Sequence, residues 1–293
     1  MLTRRQLGAL VLLTLMWGLN WPMMKFSLRE LSPLYFRAVT MTGGALLLLA
    51  FYRWRGVRFA LPPGEFARIA WLALPNILGW HLFSILGVQE LASGRAAILG
   101  FTMPIWTVLI AALLFGERLS RRVFLSVVCG AAAVGLLVAQ EFTALAGRPV
   151  GIVWMQIAAF SWALGTVLMR RTKSTVPTEA LTVWMMLMGS VIFWVIAPLT
   201  EPAPTWQFSA PMWWSLVWGA TINYGFAQII WFGMARNLPP AASAFSIMAV
   251  PLIGTGSATF IVGEVPHWQD LAAAVLIVVA IASALLPRRM PVR

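Results

Sequence analysis

Ten apolar runs of about 20 residues dominate this chain, and the connections between them are too short to fold as domains. At about 1.5 Å per residue, a helix of that length crosses roughly 30 Å, the thickness of bilayer hydrocarbon. The runs cover 6–26, 33–52, 66–88, 93–115 and 122–140, then 150–170, 177–199, 211–235, 239–262 and 268–286. With 60% of its 293 residues hydrophobic, only 10% charged and a mean hydropathy of +0.84, the chain has more apolar surface than a soluble core can hide. Lipid must be the solvent for much of it. The first run continues through Asn20 and Pro22 without an Ala-x-Ala site, so it reads as a span and not as a cleaved leader. Several runs begin at or beside proline (Pro33, Pro149, Pro177, Pro211, Pro239), whose missing N–H is an orphan at a helix start anyway.

The runs are not independent. Residues 71–117, shifted by 147, land on 218–264 with their punctuation intact. Trp71 falls on Trp218, Asn76 on Asn223, Met103-Pro104 on Val250-Pro251 and Gly116-Glu117 on Gly263-Glu264. His81 falls on Gln228, polar opposite polar. The chain is therefore expected to hold two copies of one five-helix unit, 1–145 and 146–293. Five is odd, so the second copy enters the bilayer the opposite way up. The expected fold is an all-α polytopic membrane protein, ten transmembrane helices as two inverted five-helix repeats. Inverted repeats give two nearly equivalent packings, the basis of alternating access around a site near the midplane.

The net charge of +12 is distributed between the spans, which suits lipid headgroups and topology and not nucleic acid. With the N-terminus inside, sixteen Lys and Arg fall on the cytoplasmic side and four (Lys25, Arg29, Arg95, Arg148) on the other, with Arg37 inside a span. Both termini are therefore expected in the cytoplasm of a multi-pass inner-membrane protein.

Trp17-Gly18-Leu19-Asn20 in the first span and Ser161-Trp162-Ala163 in the sixth resemble the helix-one signature of EamA-type proteins of the drug/metabolite transporter superfamily. Met103-Pro104 with Gly116-Glu117-Arg118-Leu119, and Val250-Pro251 with Gly263-Glu264, resemble that family's fourth-helix proline and Gly-Glu turn. The resemblance covers nearly the whole chain and is most similar to the YddG-type amino-acid exporters. It implies ten helices, inverted repeats and export of small metabolites. The second copy departs from the pattern at Gly165, opposite Asn20, and at Val265-Pro266, opposite Arg118-Leu119.

Polar and aromatic groups near the midplane are the functional candidates, because they are costly there unless satisfied. Trp17 and Trp162 lie mid-span, away from the interfacial belts, and are expected as walls of a central cavity. Asn20, His81, Asn223, Gln228 and Ser243 are expected polar contacts to substrate, and Phe101 lies just before Pro104, where the missing donor frees a backbone carbonyl. The alternative for these residues is helix packing. Asn76 and His81, five apart, stand about 140° apart on an α-helix, so they either border a cavity on two edges or one of them binds a neighbouring helix. Arg37 either snorkels, pairs with a loop acid or attracts a substrate carboxylate. Glu117 and Glu264 are expected to brace helix ends.

All nine acids lie at span ends or in loops, so no carboxylate is expected at mid-membrane. A proton-driven exporter of lipophilic cations normally needs one there. The expected substrate is therefore zwitterionic or neutral, and the resemblance to amino-acid exporters implies an aromatic or hydrophobic amino acid; the alternatives are organic cations or another small metabolite on the same scaffold, or a membrane scaffold without transport. No His-Glu-x-x-His, Gly-x-Ser-x-Gly or P-loop is present, so no enzyme is expected. Cys129 is the only cysteine, which excludes a disulfide framework and a Cys-based metal site, and no cofactor or metal is expected. A homodimer through peripheral small-residue faces is compatible with the sequence, although no sharp motif calls for one.

Overall fold

Each apolar run becomes a helix because in lipid every backbone N–H and C=O must be satisfied within its own segment. The computed structural model describes residues 3–116, 121–143, 148–235 and 240–285, and within them all side chains except those of 232–248 and 284–285. The first five helices are α1 (Arg4–Ser27), α2 (Pro33–Trp54), α3 (Glu65–Glu90), α4 (Ser93–Phe115) and α5 (Arg121–Thr143). The next are α6 (Pro149–Arg171), α7 (Thr178–Thr200), α8 (210–235), α9 (Pro240–Ile261) and α10 (Trp268–Leu285). Thr3 starts α1 with a capping box: its hydroxyl accepts from Gln6 N, and the Gln6 side chain accepts from Thr3 N.

Three helices are irregular. α3 widens to a π-helix over Leu74–Gly79, and α8 does so over Trp218–Phe226. The two wide turns fall at matching places in the two copies. α4 breaks at Phe101–Thr102 into Ser93–Gly100 and Met103–Phe115, because Pro104 has no N–H for the Gly100 carbonyl. Ile105 N turns instead to Thr102 O at 2.9 Å. Pro251, at the matching place in α9, lies inside a continuous helix.

Packing follows the duplication. α1 lies against α8 and α9, and its counterpart α6 lies against α3 and α4. α2 packs on its counterpart α7, and α5 on α10. Exchanging the copies maps this set of neighbours onto itself, and the ten helices form two inverted five-helix repeats. One contact shows it at residue level. Gly44 on α2 admits Tyr224 of α8 so closely that a Cβ would overlap it, and Gly189 on α7 admits Ile77 of α3 in the same way. Ile77 and Tyr224 are 147 positions apart, and Gly44 and Gly189 are 145 apart.

The end of the bundle opposite the start of α1, called here the far end, is tied by polar contacts between elements. Arg95 at the start of α4 bonds Asp270 of α10 (Nε to Oδ1, 2.8 Å) and Glu141 of α5, all three buried. Lys25 Nζ donates to the carbonyls of Val88 and Gln89 at 2.8 Å, closing the end of α3. Glu201 accepts from Leu34 N at 2.9 Å, supplying the acceptor that the first turn of α2 lacks. Arg148 bonds Glu90 at 2.8 Å, and this bond and charge hold its guanidinium above its ordinary pKa.

Candidate functional site

Between the two repeats, rings from five helices meet in one aromatic cluster. Trp162 of α6 lies on Trp80 of α3 with centroids 4.4 Å apart. Trp80 meets Trp21 of α1 edge-on at 6.2 Å, and Trp21 meets Phe101, at the break of α4, at 6.4 Å. His81 follows Trp80 and reaches Tyr224 of α8, 5.2 Å between ring centres. Trp17 lies on Trp231 of α8 at 5.4 Å. The two predicted tryptophans therefore do not face each other directly. Each rests on an indole from the neighbouring helix of the opposite repeat, α1 on α8 and α6 on α3.

Arg37 projects from α2 into the edge of this cluster and is only 2% exposed. Its Nε donates to His81 O (3.1 Å), Nη1 to the Tyr224 hydroxyl (2.9 Å) and Nη2 to Ser84 Oγ (2.9 Å). All three acceptors are neutral, and among the described residues no carboxylate contacts it. Of the three roles open for Arg37 from sequence, snorkelling and pairing with a loop acid are not what this geometry shows. A buried cation held by neutral acceptors leaves a positive potential in a low-dielectric site. Such a site attracts an anionic group and repels a cationic one.

The remaining sequence candidates separate. Asn20 is buried on α1, whereas Asn223 and Gln228 are half-buried on α8. Phe101 is buried against Trp21 and sits in the turn that interrupts α4. Asn76 donates to Leu72 O within its own helix and presses on Gly165 of α6, so it packs helices together. His81 faces α8 instead. The wide π turn between the two changes the angular count that an α-helix would give. Gly165, where the second repeat lacks the asparagine of the first, is the space that Asn76 fills. The side chain of Ser243 lies outside those described, and Glu117 lies outside the described residues. Sequence reasoning passed over Trp80, Trp231 and Tyr224; the mid-span position that singled out Trp17 applied equally to Trp80 and Tyr224, whereas Trp231 lies near the end of its run. Among the described residues no three His, Cys, Asp or Glu converge as metal ligands.

The break in α4 divides its packing. Its Ser93–Gly100 half lies along α9, with Gly94 against Thr255 and Gly254 against Ala97. Its Met103–Phe115 half packs on α6, where Met103 and Ile110 cluster with Ala159, Ala163 and Val167. At the far end the two repeats are thus in close contact.

Comparison with known proteins agrees with this arrangement. A solved crystal structure 23% identical in sequence superposes with a TM-score of 0.66 over 97% of this chain and 99% of its own, a likeness of fold. The uncharacterized transporter YvbV of Bacillus subtilis (strain 168) is 27% identical over 93% of this chain and 88% of its own length. A probable amino-acid metabolite efflux pump of Salmonella typhimurium is 26% identical over 91% of this chain and 90% of its own. The EamA-like transporter family model matches twice, over residues 6–139 and 149–286, each match covering one five-helix repeat. Duplicated helices, inverted packing and this double match together place the chain in the EamA-like transporter family, as a multi-pass membrane protein.

Proposed function

We propose that the protein exports aromatic or hydrophobic amino acids across the inner membrane by alternating access, without enzymatic activity. Units 1–145 and 146–293 rock against each other, and both termini face the cytoplasm. The observation that carries this reading is the aromatic cluster between the repeats, with a buried arginine at its edge and no carboxylate in contact with that arginine among the described residues. Indole faces suit an apolar or aromatic side chain, and the positive potential suits a carboxylate. Trp17, Trp162 and Phe101 form the walls; Asn20, His81, Asn223 and Gln228 supply polar contacts. The efflux pump of Salmonella typhimurium supports the amino-acid class. Organic cations on the same scaffold are less well served, because Arg37 opposes them. The far-end contacts between α4 and α9 correspond to a state shut on that side, with the substrate entering from the cytoplasm.

The test is counterflow in proteoliposomes loaded with unlabelled amino acids and given labelled phenylalanine outside, with and without a pH gradient. Uptake that amino acids compete for and quaternary amines do not is the expected result. Competition by quaternary amines alone would assign the scaffold to organic cations.

A further inference from the structure

We propose that His81 serves the substrate path as a neutral hydrogen-bond donor through Nε2, and that Arg37 and Tyr224 are positioning residues that hold it in that form. This rests on the reading of the aromatic cluster as the substrate path.

The argument begins with the tyrosine. Tyr224 is 3% exposed, and its oxygen accepts from Arg37 Nη1 at 2.9 Å. A phenol oxygen that receives one hydrogen bond still has its own hydrogen to place. His81 Nδ1 is 2.9 Å away. If Tyr224 donates to Nδ1, the Arg37 Nη1, the phenol hydroxyl and Nδ1 are all paired, and the imidazole proton resides on Nε2. The opposite assignment, Nδ1–H donating to Tyr224, leaves the hydroxyl hydrogen without an acceptor in a buried place. An imidazolium has the same defect and adds a second cation beside Arg37, whose Nε already holds the His81 carbonyl. Around His81, α2 contributes Arg37, α8 contributes Tyr224, and α3 itself contributes Ser84; α6 contributes the apolar Trp162 by way of Trp80. No acid among the described residues offsets the arginine. Among them, too, Nε2 has no protein acceptor, while the ring remains half-buried.

The duplication supplies an independent observation. The counterpart of His81 is Gln228, a side chain that donates and never ionises. With its proton on Nε2, His81 offers what Gln228 offers: a neutral N–H at similar reach from the matching helix. Two such donors, one per repeat, suit the carboxylate of a zwitterion. A histidine that carried protons would have to break the bond to Tyr224 in each cycle.

The test uses the full-length protein with His267→Gln, which leaves His81 as its only histidine. In ¹⁵N-histidine NMR at neutral pH, His81 is expected to show the neutral Nε2–H tautomer. A dominant Nδ1–H tautomer, or an imidazolium, at that pH would overturn the proposal. Tyr224→Phe, which keeps the ring but not the donor, is expected to release the tautomer; an unchanged spectrum would remove Tyr224 from its positioning role. In counterflow, His81→Gln should stay within about threefold of the parent while His81→Asn, which places its amide nearer Nδ1, falls about tenfold, the scale of one hydrogen bond to a charged group. Equal loss in both variants would count against donation from Nε2. Failure of the parent itself to exchange phenylalanine would sink the amino-acid reading, and the NMR result would still decide the tautomer.

Discussion

Glu264, just beyond α9, accepts hydrogen bonds from Ser93 N at 2.7 Å and Ser93 Oγ at 2.8 Å, so a carboxylate of the second repeat caps α4 of the first. The carboxylate meets the unpaired donors and the positive end of the α4 dipole together. Because the bond joins the repeats at the far end, it should stabilise a state shut there if the repeats rock as proposed. Glu264→Ala should cost about 1–2 kcal/mol, the scale of a lost helix cap. It should also increase labelling of far-end cysteines introduced on a Cys129→Ala background. Thermal unfolding in detergent checks the first effect; unchanged labelling together with a lowered midpoint would make Glu264 a structural cap without influence on access.

The Arg95 cluster carries a larger stake. Its guanidinium joins Asp270 and Glu141, and all three are buried. Arg95→Ala strands two carboxylates near each other and should cost about 3–5 kcal/mol. Arg95→Ala combined with Asp270→Asn should lose markedly less than the sum of the two single variants, since the residues share one network. Additive losses in that thermal double-mutant cycle would mean the pair is solvated and weak.

The paired glycine contacts test the repeat directly. An added methyl at Gly44 meets Tyr224, and one at Gly189 meets Ile77. Each of Gly44→Ala and Gly189→Ala should destabilise by about 1–3 kcal/mol, the usual range for overpacking. Gly8→Ala, with open space around it, should be neutral or slightly stabilising by helix propensity. A loss at Gly8 as large as at Gly44 would remove the packing explanation.

How legible this was in the sequence differs by feature. Apolar run length and the 147-residue offset were sufficient for ten helices and their duplication, because lipid leaves a spanning chain few alternatives. The π turns of α3 and α8 had no signal: a shift from i−4 to i−5 bonding leaves no hydrophobic period behind, so the angle between Asn76 and His81 rested on the wrong helix geometry. Proline was an incomplete guide as well, since Pro104 marks a break in α4 whereas Pro251 does not interrupt α9. The environment of Arg37 was out of reach for another reason. Its partners on α3 and α8 lie 44, 47 and 187 residues away, and only the folded packing brings them to one guanidinium.

The two tryptophans predicted as walls give a transport prediction. Trp17→Ala and Trp162→Ala each remove an indole resting on another indole, Trp231 or Trp80. Flux should fall at least about tenfold, since an aromatic pair and the surface it buries are together worth more than about 1.4 kcal/mol. The variants should still elute as single folded peaks. Loss of folded protein in proportion to loss of flux would reassign both residues to packing.

A pH prediction comes from the far-end surface. Ser209 donates from its hydroxyl to Glu30 Oε1 and from its N–H to Glu30 Oε2 at 2.9 Å, joining the α1–α2 turn to the start of α8. These bonds, the hydroxyl's first, favour the charged carboxylate and hold Glu30 below its ordinary pKa. A carboxyl lowered in the folded state contributes stability that is fully present above its unfolded value and is lost as pH falls through the folded one. The attachment should therefore persist at neutral pH and loosen only below the ordinary carboxylate range of about 4.3. Hydrogen exchange of the 201–209 segment, where Trp206 is held between Tyr35 and Phe208, should report that loosening. Ser209→Ala should move the transition up toward the ordinary carboxylate value, and Glu30→Gln should abolish it. A transition that stays in place in both variants would mean that another acid governs the segment.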